Sequence, residues 1–296
     1  MRRILLFVLT NIAVLALLAI VCRIFGIDQW TAAHGYGGLG ALLVYAAVFG
    51  FGGAFISLAM SKSIAKWSTG ARVIDQPQDE TERWLVATVQ QLANKAGVGM
   101  PEVAIYDGPE MNAFATGMSR NHALVAVSAG LLQNMARDQI SAVLGHELTH
   151  VANGDMVTMT LLQGVMNTFV IFLARVVGRI VDSAMGGSNN RGGGLGYFAI
   201  VIVLQIVFGL LASLVVMAFS RWREFRADAG GARLAGRDRM ISALQRLGQQ
   251  DGANTLPKAI AAFGISDRVG QGIARLWMSH PPLEERIARL RGIAAL

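Results

Sequence analysis

The residues with the clearest chemical potential are two histidines and a glutamate in the segment His146-Glu147-Leu148-Thr149-His150. Residues four positions apart share one face of an α-helix, so both imidazoles can converge on one ion. Zinc binds neutral imidazole nitrogens at about 2.0–2.1 Å, and catalytic zinc sites keep one position for water. Glu147 would lie beside that water and accept its proton as it attacks a carbonyl carbon. The spacing therefore predicts a hydrolytic metal site with His146 and His150 as ligands and Glu147 as the base.

The residues around this motif indicate how the two histidines would be held. Asp138 is a favourable N-cap for a helix that runs to about Ala152 and is closed by Asn153-Gly154. The other face of this helix is apolar and would pack into a core, through Ile140, Val143, Leu144, Leu148 and Val151. A chance match, with the histidines capping or hydrogen bonding on a surface helix, is the alternative that the motif alone leaves open.

A zinc site needs a third ligand, and a later segment offers one. Glu224 and Asp228 are again four residues apart on a predicted helix. A carboxylate ligand with a second carboxylate one turn away suits a site of two histidines and one glutamate. Asp228 would then orient a ligating histidine through the ring nitrogen that faces away from the metal. The alternative is a charged turn beside a membrane, in which both acids pair with Arg221, Arg223 and Arg226.

The composition is too apolar for an ordinary soluble domain. Hydrophobic residues make up 53% of the 296 positions, and only 15% are charged. The formal charge of +7 is uneven: residues 62–157 carry 7 Lys and Arg against 10 Asp and Glu (net −3), and residues 220–296 carry 13 against 7 (net +6). Basic residues beside apolar segments are typical of membrane proteins. Basic and aromatic residues do not interleave as in nucleic-acid-binding modules, and the single cysteine, Cys22, cannot form an intrachain disulfide.

Four apolar segments predict two membrane hairpins: Ile4 to Cys22, Gly37 to Met60, Thr158 to about Ile180, and Tyr197 to Phe219. Arginines before the first segment and lysines after the second place both ends of the first hairpin in the cytoplasm. The histidines before the third segment and the glutamate after the fourth can hold the same metal only if they lie on the same side of the membrane. Both segments must therefore cross the membrane, or neither does. The sequence favours a second spanning hairpin.

The fold expected from these patterns is a mainly α membrane protein with a small β-sheet. The pattern predicts an amphipathic helix from Asp79 to Ala96, ended by Gly97. It also predicts two short strands, Glu102 to Tyr106 and Ala123 to Val127. Four parts follow: a transmembrane hairpin over 1–61, the first part of a catalytic domain over 62–157, a second hairpin over 158–219, and the second part of the catalytic domain over 220–296.

The chain resembles the HtpX group of membrane-bound zinc metallopeptidases, which are relatives of the CaaX prenyl-protein peptidases. The resemblance covers essentially the whole chain and depends on four blocks in the expected order: Asn112–Gly117, His146–Asp155, Ser220–Asp228 and Ser279–Ile287. It implies a cytoplasm-facing α+β domain of the gluzincin type in the bacterial inner membrane, with both termini in the cytoplasm and one zinc ion per chain. Glu224 corresponds to the family's glutamate ligand and Glu147 to its catalytic glutamate. Family members resemble quality-control endopeptidases that cleave misfolded membrane proteins under stress.

Two further blocks receive roles from this peptidase class. Asn112, Ala113, Phe114 and Ala115 are expected to form an exposed edge strand that holds an extended substrate by main-chain hydrogen bonds, and a structural turn is the alternative. His280 is expected to donate a hydrogen bond to the oxyanion of the tetrahedral intermediate, unless it caps a helix before Pro281-Pro282. Arg286 would help to position this segment.

Two rival functions remain at the level of the sequence. A narrow processing peptidase of the prenyl-protein type would enclose its site in a larger chamber, for which four short apolar segments are too few. A non-enzymatic zinc-binding membrane scaffold or a metal transporter is the rival from another class. A transporter places ionisable ligands inside its spans, whereas the metal-type residues here fall outside all four apolar segments. The expected partners are unfolded or misfolded membrane proteins and the lipid bilayer, with no nucleic acid; the sequence does not predict an oligomeric state.

Overall fold

The architecture comes from a computed structural model that describes residues 39–184, 195–250, 276 and 278–292. Most of the described chain is helical, and four short strands form one small mixed sheet, which confirms the predicted fold class. In chain order the elements are α1 (Leu39–Thr69), β1 (Arg72–Val73), α2 (Glu80–Ala96), β2 (Glu102–Tyr106), β3 (Ala113–Gly117), β4 (Ala123–Ser128), α3 (Ala129–Asn134), α4 (Arg137–Asn153), α5 (Asp155–Ala184), α6 (Leu195–Ala235), α7 (Arg237–Gln250) and α8 (Leu283–Gly292).

Three of the described helices are long and apolar enough to cross a membrane. Their candidate spans are Ala41–Thr69 in α1, Asp155–Asp182 in α5 and Gly196–Ala235 in α6. About 20 apolar residues suffice for a helix to cross the hydrocarbon core, so each span has length to spare. The third and fourth predicted segments fall within α5 and α6, and the described part of the second, from Leu39 to Met60, falls within α1. The first predicted segment, 4–22, and the glycine-rich link 186–194 lie outside the described residues.

The chain divides into two units, one of which contains the membrane-type helices. This membrane unit consists of Met1–Ser57 and Met159–Val216. Within it, Phe49 of α1 is buried against Ile171 of α5. The guanidinium group of Arg175 lies 4.9 Å from the ring centroid of Tyr45, so the arginine in this apolar segment has an aromatic partner.

The second unit, Leu58–Thr158 and Met217–Leu296, contains the sheet and is called the sheet unit here. Its strands lie in the order β1-β2-β4-β3; β2 runs parallel to β4, and β3 runs antiparallel to β4. The predicted strand Glu102 to Tyr106 is observed with the same bounds, and the strand that begins at Ala123 extends one residue further, to Ser128. Every residue of β4 is buried, as expected for a central strand. The two edges of the sheet are β1 and β3.

Helices α2 and α4 pack in the main core of the sheet unit. Leu85 of α2 and Leu144 and Leu148 of α4 are fully buried there. The predicted bounds of α2 are confirmed: the side chain of Asp79 accepts a hydrogen bond from the Glu82 amide, and Gly97 ends the helix in the left-handed conformation at φ 67°.

The predicted N-cap of α4 was wrong. The helix begins at Arg137, with Ala136 at the capping position, and the Ala136 amide donates to Oε1 of Gln139 at 3.0 Å. Asp138 lies inside the first turn and pairs with Arg239 at 3.3 Å. The helix start is therefore stabilised by the side chain of Gln139, at the third helical position, which accepts from the Ala136 amide, and not by an aspartate at the N-cap. The helix ends at Asn153, before Gly154, as predicted.

Two glycines allow the C-terminal part of α6 to lie directly against α4. A Cβ atom at Gly230 would overlap the side chain of Thr149, 2.5 Å from its Oγ1. A Cβ at Gly231 would lie 2.9 Å from the backbone nitrogen of His146. A side chain at either position would separate the helices, so this close contact positions α6 beside the histidines.

Candidate metal centre

Three side chains converge in the sheet unit with ligand atoms facing one another. The Nε2 atoms of His146 and His150 are 3.1 Å apart, and the carboxylate oxygens of Glu224 lie 3.4 Å from the first and 3.2 Å from the second. Ligands at about 2.0–2.1 Å in a tetrahedron around zinc are separated by about 3.3 Å. The carboxylate faces both imidazoles, with Oε2 of Glu224 near His146 and Oε1 near His150. These separations are close to the expected value, and the three residues could hold one zinc ion.

The folding of two helices brings these ligands together. His146 and His150 lie one turn apart on α4, and Glu224 lies on the part of α6 that packs against it. All three residues are buried: the exposed fraction is 6% for His146, 8% for His150 and 1% for Glu224. A carboxylate is stable at this depth only if it is paired or bound to a metal. The structure therefore brings together the two histidines and the glutamate that the sequence proposed.

Asp228 fixes the orientation of the first histidine. Its Oδ1 lies 3.0 Å from Nδ1 of His146, on the side of the ring that faces away from the ligand cluster. Arg286 donates to both carboxylate oxygens of Asp228, at 2.7 and 2.6 Å. Histidine, aspartate and arginine thus form a buried chain in which each side chain limits the movement of the next. The predicted role of Arg286 in positioning a segment has a specific structural counterpart in this bidentate contact.

The three arginines near Glu224 do not support the alternative of a simple charged turn. Arg223 lies 4.0 Å from Glu224, and the guanidinium group of Arg226 lies over the Trp222 ring at 4.8 Å. Arg221 donates to the carbonyl oxygens of Leu276 and Met278. Glu224 and Asp228 instead make close contacts with the histidines, which favours the ligand interpretation.

Sequence reasoning missed the partner of the second histidine. Oδ2 of Asp155 lies 2.6 Å from Nδ1 of His150, and Asp155 is buried. Gly154 ends α4 in the left-handed conformation, and the turn places Asp155 at the start of α5 within reach of His150. The signal was present in the sequence as an aspartate directly after the Asn-Gly helix end. Each ligand histidine therefore has its own buried carboxylate.

The electrostatics of the metal-free site favour protonated histidines. Burial opposes the charge on His146, but hydrogen bonds to Asp228 and Glu224 outweigh it and raise its pKa to about 9. Burial likewise opposes the charge on His150, while Asp155 and Glu224 raise its pKa above the usual value. Zinc binds neutral imidazole, so loading of this site releases protons.

Glu147, next to His146 on α4, contacts the edge strand β3. It is half-buried, and its Oε2 accepts a hydrogen bond from the Ala115 amide at 2.9 Å. The backbone groups of Asn112 pair with Ser128 on the β4 side. Because directions alternate along a strand, the backbone groups of Ala113 and Ala115 point away from β4. The predicted edge strand is thus an edge in the fold. Asn112 lies just before it, and the backbone groups of Phe114 face β4.

His280 approaches the cluster from the segment before α8. Its Nδ1 lies 2.8 Å from Oε2 of Glu224, and its side chain is 62% exposed. The sequence suggested an oxyanion donor, and with Nδ1 directed to Glu224 such a bond would have to come from Nε2. The role stays a prediction.

Comparisons with known proteins agree with this geometry. The sequence model of Peptidase family M48 matches residues 79–294. A "Protease HtpX" of Xanthomonas campestris pv. campestris (strain 8004) is 62% identical over 290 residues, covering 98% of this chain and 97% of the relative. A "Protease HtpX" of Xanthomonas oryzae pv. oryzae (strain MAFF 311018) is 61% identical with the same coverage. In fold, the chain is similar to S. mikatae Ste24p, with a TM-score of 0.64, 18% identity, and coverage of 93% of this chain and 67% of that one.

These findings confirm the resemblance to the HtpX group that the sequence motifs predicted, and none of them supports a non-enzymatic scaffold or a transporter. The donor set of two imidazoles and one carboxylate is the one that zinc peptidases use. The chain therefore belongs to peptidase family M48 and is a membrane-bound, zinc-dependent metalloprotease.

Proposed function

We propose that this metalloprotease is an endopeptidase that hydrolyses misfolded or damaged membrane proteins, with zinc held by His146, His150 and Glu224. The observation that carries the proposal is the convergence of three buried side chains, whose facing nitrogen and oxygen atoms are 3.1 to 3.4 Å apart; the half-buried Glu147 is next in sequence to His146. A buried donor set with one accessible carboxylate supports catalysis better than a purely structural zinc site, which would have four protein ligands.

When bound, zinc would supply Lewis-acid chemistry that lowers the pKa of a water molecule and polarises the scissile carbonyl group. Glu147 acts as the general base: its carboxylate accepts the proton of the attacking water and later delivers it to the leaving amine. The Ala115 amide holds this carboxylate in place before substrate arrives, since it donates to Oε2 at 2.9 Å.

Asp228 and Asp155 keep the two imidazoles in the orientation that presents Nε2 to the cluster. Each accepts a hydrogen bond from Nδ1–H when the histidine is neutral, and so selects one tautomer. Arg286 holds Asp228 through two hydrogen bonds, so the orientation of His146 depends on a residue of α8. His280 contacts Glu224 and would use its other nitrogen to stabilise the oxyanion.

Strand β3 provides the binding edge for substrate. The outward N–H and C=O of Ala113 and the outward C=O of Ala115 can pair with an extended peptide without selecting its side chains, while the Ala115 N–H is bonded to Glu147. Such recognition requires the substrate to be locally unfolded, because a folded chain has already paired its backbone groups. This requirement supports misfolded proteins as the substrate class.

The proposed location is the bacterial inner membrane, with the two parts of the catalytic domain (62–157 and 220–296) and both termini in the cytoplasm. Lysines and arginines flank the apolar segments on that side. In a Cys22→Ser background, an impermeant maleimide added to intact cells should leave Gln76→Cys unlabelled and label Ser188→Cys in the link between the third and fourth segments. Labelling of Gln76→Cys would reverse the topology.

The catalytic assignment is tested by zinc content and cleavage of an unfolded membrane-protein substrate. Wild type should bind one zinc ion and cleave, Glu147→Gln should keep zinc without cleaving, and Glu224→Ala should lose zinc. Glu284→Gln, which changes an exposed glutamate on α8, is the control and should behave as wild type. Cleavage by Glu147→Gln at the wild-type rate would remove the general base from the mechanism, and full zinc in Glu224→Ala would remove the third ligand.

A further inference from the structure

A second concave site lies in the sheet unit and is separate from the zinc ligands. Its volume is about 690 Å³, within the usual range for small-molecule sites, and its lining does not include His146, His150 or Glu224. One face of α6 forms one wall, and Thr149, Ala152 and Asn153 of α4 form another. We call this site the basic cavity.

The charged lining of the basic cavity is entirely positive. Among the described residues, four cations line it, Lys95, Arg226, Arg233 and Arg289, and none of the described lining residues is an aspartate or glutamate. Arg289 has one acidic neighbour outside the cavity, Glu285 at 3.3 Å. Four like charges around one concavity repel one another, and a bound anion relieves that repulsion.

Two of the three guanidinium groups in the lining are held by aromatic rings. Arg226 lies 4.8 Å from the ring centroid of Trp222, and Arg289 lies 3.6 Å from that of Phe225. Stacking on a ring fixes the guanidinium plane but leaves its N–H donors free for an oxyanion. Phosphate matches this fork of donors, because two of its oxygens accept parallel hydrogen bonds.

The cavity also offers a neutral donor. Nδ2 of Asn153, a lining residue, is buried and has no hydrogen-bond partner among the described residues. A buried amide nitrogen without an acceptor is costly, and native proteins rarely keep one without a ligand or water. A rotation of the Asn153 side chain toward the cavity would bring this donor to an oxygen-rich ligand.

The position of the cavity along α6 indicates where the phosphate comes from. Trp222 follows the last residue of the fourth apolar segment, Phe219, by three residues, or about 4.5 Å along a helix. Tryptophan at this position, half-exposed and next to arginines, is typical of the membrane–water interface at the level of the lipid headgroups. We propose that the basic cavity binds the phosphate of an anionic phospholipid headgroup. This inference goes beyond the proposed proteolytic function and does not depend on it.

The test is native mass spectrometry of the zinc-loaded full chain released from micelles with equal amounts of phosphatidylglycerol and phosphatidylcholine. Wild type should retain at least tenfold more phosphatidylglycerol than phosphatidylcholine as its first bound lipid. The double variant Arg226→Gln/Arg289→Gln should lose this preference to within twofold. The control Arg83→Gln/Arg120→Gln removes the same charge from exposed positions outside the cavity and should keep it.

A second double variant, Lys95→Gln/Arg233→Gln, changes the other two cations and should lower the preference at least threefold, so the test does not depend on one variant that fails to fold. Zinc content and thermal unfolding verify that each variant is folded. No lipid preference in wild type, or an equal loss in the control, would overturn the proposal. Displacement of bound phosphatidylglycerol by 1 mM inorganic phosphate would identify a soluble phosphate as the ligand and overturn the lipid assignment.

Discussion

Removing Asp228 should have two separable consequences, because this carboxylate has two buried partners. It orients His146 through Nδ1, and it neutralises Arg286 through two hydrogen bonds. Asp228→Ala should therefore weaken zinc binding and, independently, leave the guanidinium group of Arg286 buried without its two hydrogen bonds, with only Glu224 at 3.8 Å as a more distant carboxylate. The double variant Asp228→Ala/Arg286→Met separates the effects, because it removes the stranded charge but does not restore the orientation of His146.

The structure sets the size of each effect. Arg286 is 7% exposed, so breaking its pair should cost about 3–5 kcal/mol, the usual penalty for one member of a buried ion pair. Replacing both members by apolar side chains of similar size is often close to neutral, so the double variant should recover most of that loss. Loss of the group that orients a ligating histidine typically lowers metal affinity about 10–100-fold, and this loss should be the same in the single and double variants.

The assay combines zinc competition against a chromogenic chelator with thermal unfolding of the chelated protein in detergent. The expected pattern is a large drop in melting temperature for Asp228→Ala alone and weakened zinc binding in both variants. A double variant as unstable as the single one would refute the stranded charge as the cause. Recovery of wild-type zinc affinity in the double variant would refute the orienting role of Asp228 and indicate that a released Arg286 competes with the metal.

Three further predictions follow from the site and its supports. The pKa of His146 in the metal-free protein is raised from 6.5 to about 9. Protonated His146 should therefore stabilise the fold fully below about pH 6.5, and this stabilisation should be lost as the pH rises to about 9. Thermal unfolding of the chelated protein at different pH values should show the loss, and His146→Ala should abolish this pH dependence. Gly230→Ala should destabilise the protein by about 1–3 kcal/mol, because its Cβ would overlap Thr149, and Thr149→Ala should recover part of that loss; a neutral Gly230→Ala in unfolding assays would contradict the close packing. Ala113→Pro should keep zinc and lower kcat/KM on an extended peptide at least tenfold, because it removes an outward N–H. Phe114→Pro should instead destabilise the strand, because the N–H of Phe114 faces β4. Unchanged kcat/KM in Ala113→Pro would exclude β3 as the binding edge.

Residues with a periodic or motif-based signal were predicted well from the sequence. The five residues from His146 to His150 specify a helix face and a chemistry at once, and Asp79 and Gly97 mark the two ends of α2 correctly. The apolar segments lie in long helices because apolar composition and length act locally along the chain. Glu224 was proposed as a ligand because a carboxylate pair with helical spacing followed the last apolar segment, and it lies beside both histidines in the structure.

Other features depend on contacts that spacing does not encode. Asp155 reaches His150 through a left-handed turn at Gly154, which joins two helices end to end. The partner of Arg286 lies 58 residues away along the chain, so its pairing with Asp228 requires the folded arrangement of α6 and α8. The N-cap of α4 was mispredicted because the prediction used the general preference of aspartate for this position. In the structure, a specific hydrogen bond from the Ala136 amide to Gln139 stabilises a helix that begins at Arg137, before that aspartate. The basic cavity combines residues from four helices and has no motif of its own.

X-ray absorption spectroscopy at the zinc edge tests the central claim most directly, because it reports which atoms bind the metal. The zinc-loaded full chain should show two imidazole nitrogens and oxygen ligands at about 2.0–2.2 Å. The spectrum of Glu224→Ala, recorded on the residual zinc-bound fraction, should lose the carboxylate contribution and keep both imidazoles. A wild-type spectrum with fewer than two imidazoles, or one that Glu224→Ala leaves unchanged, would contradict zinc ligation by His146, His150 and Glu224.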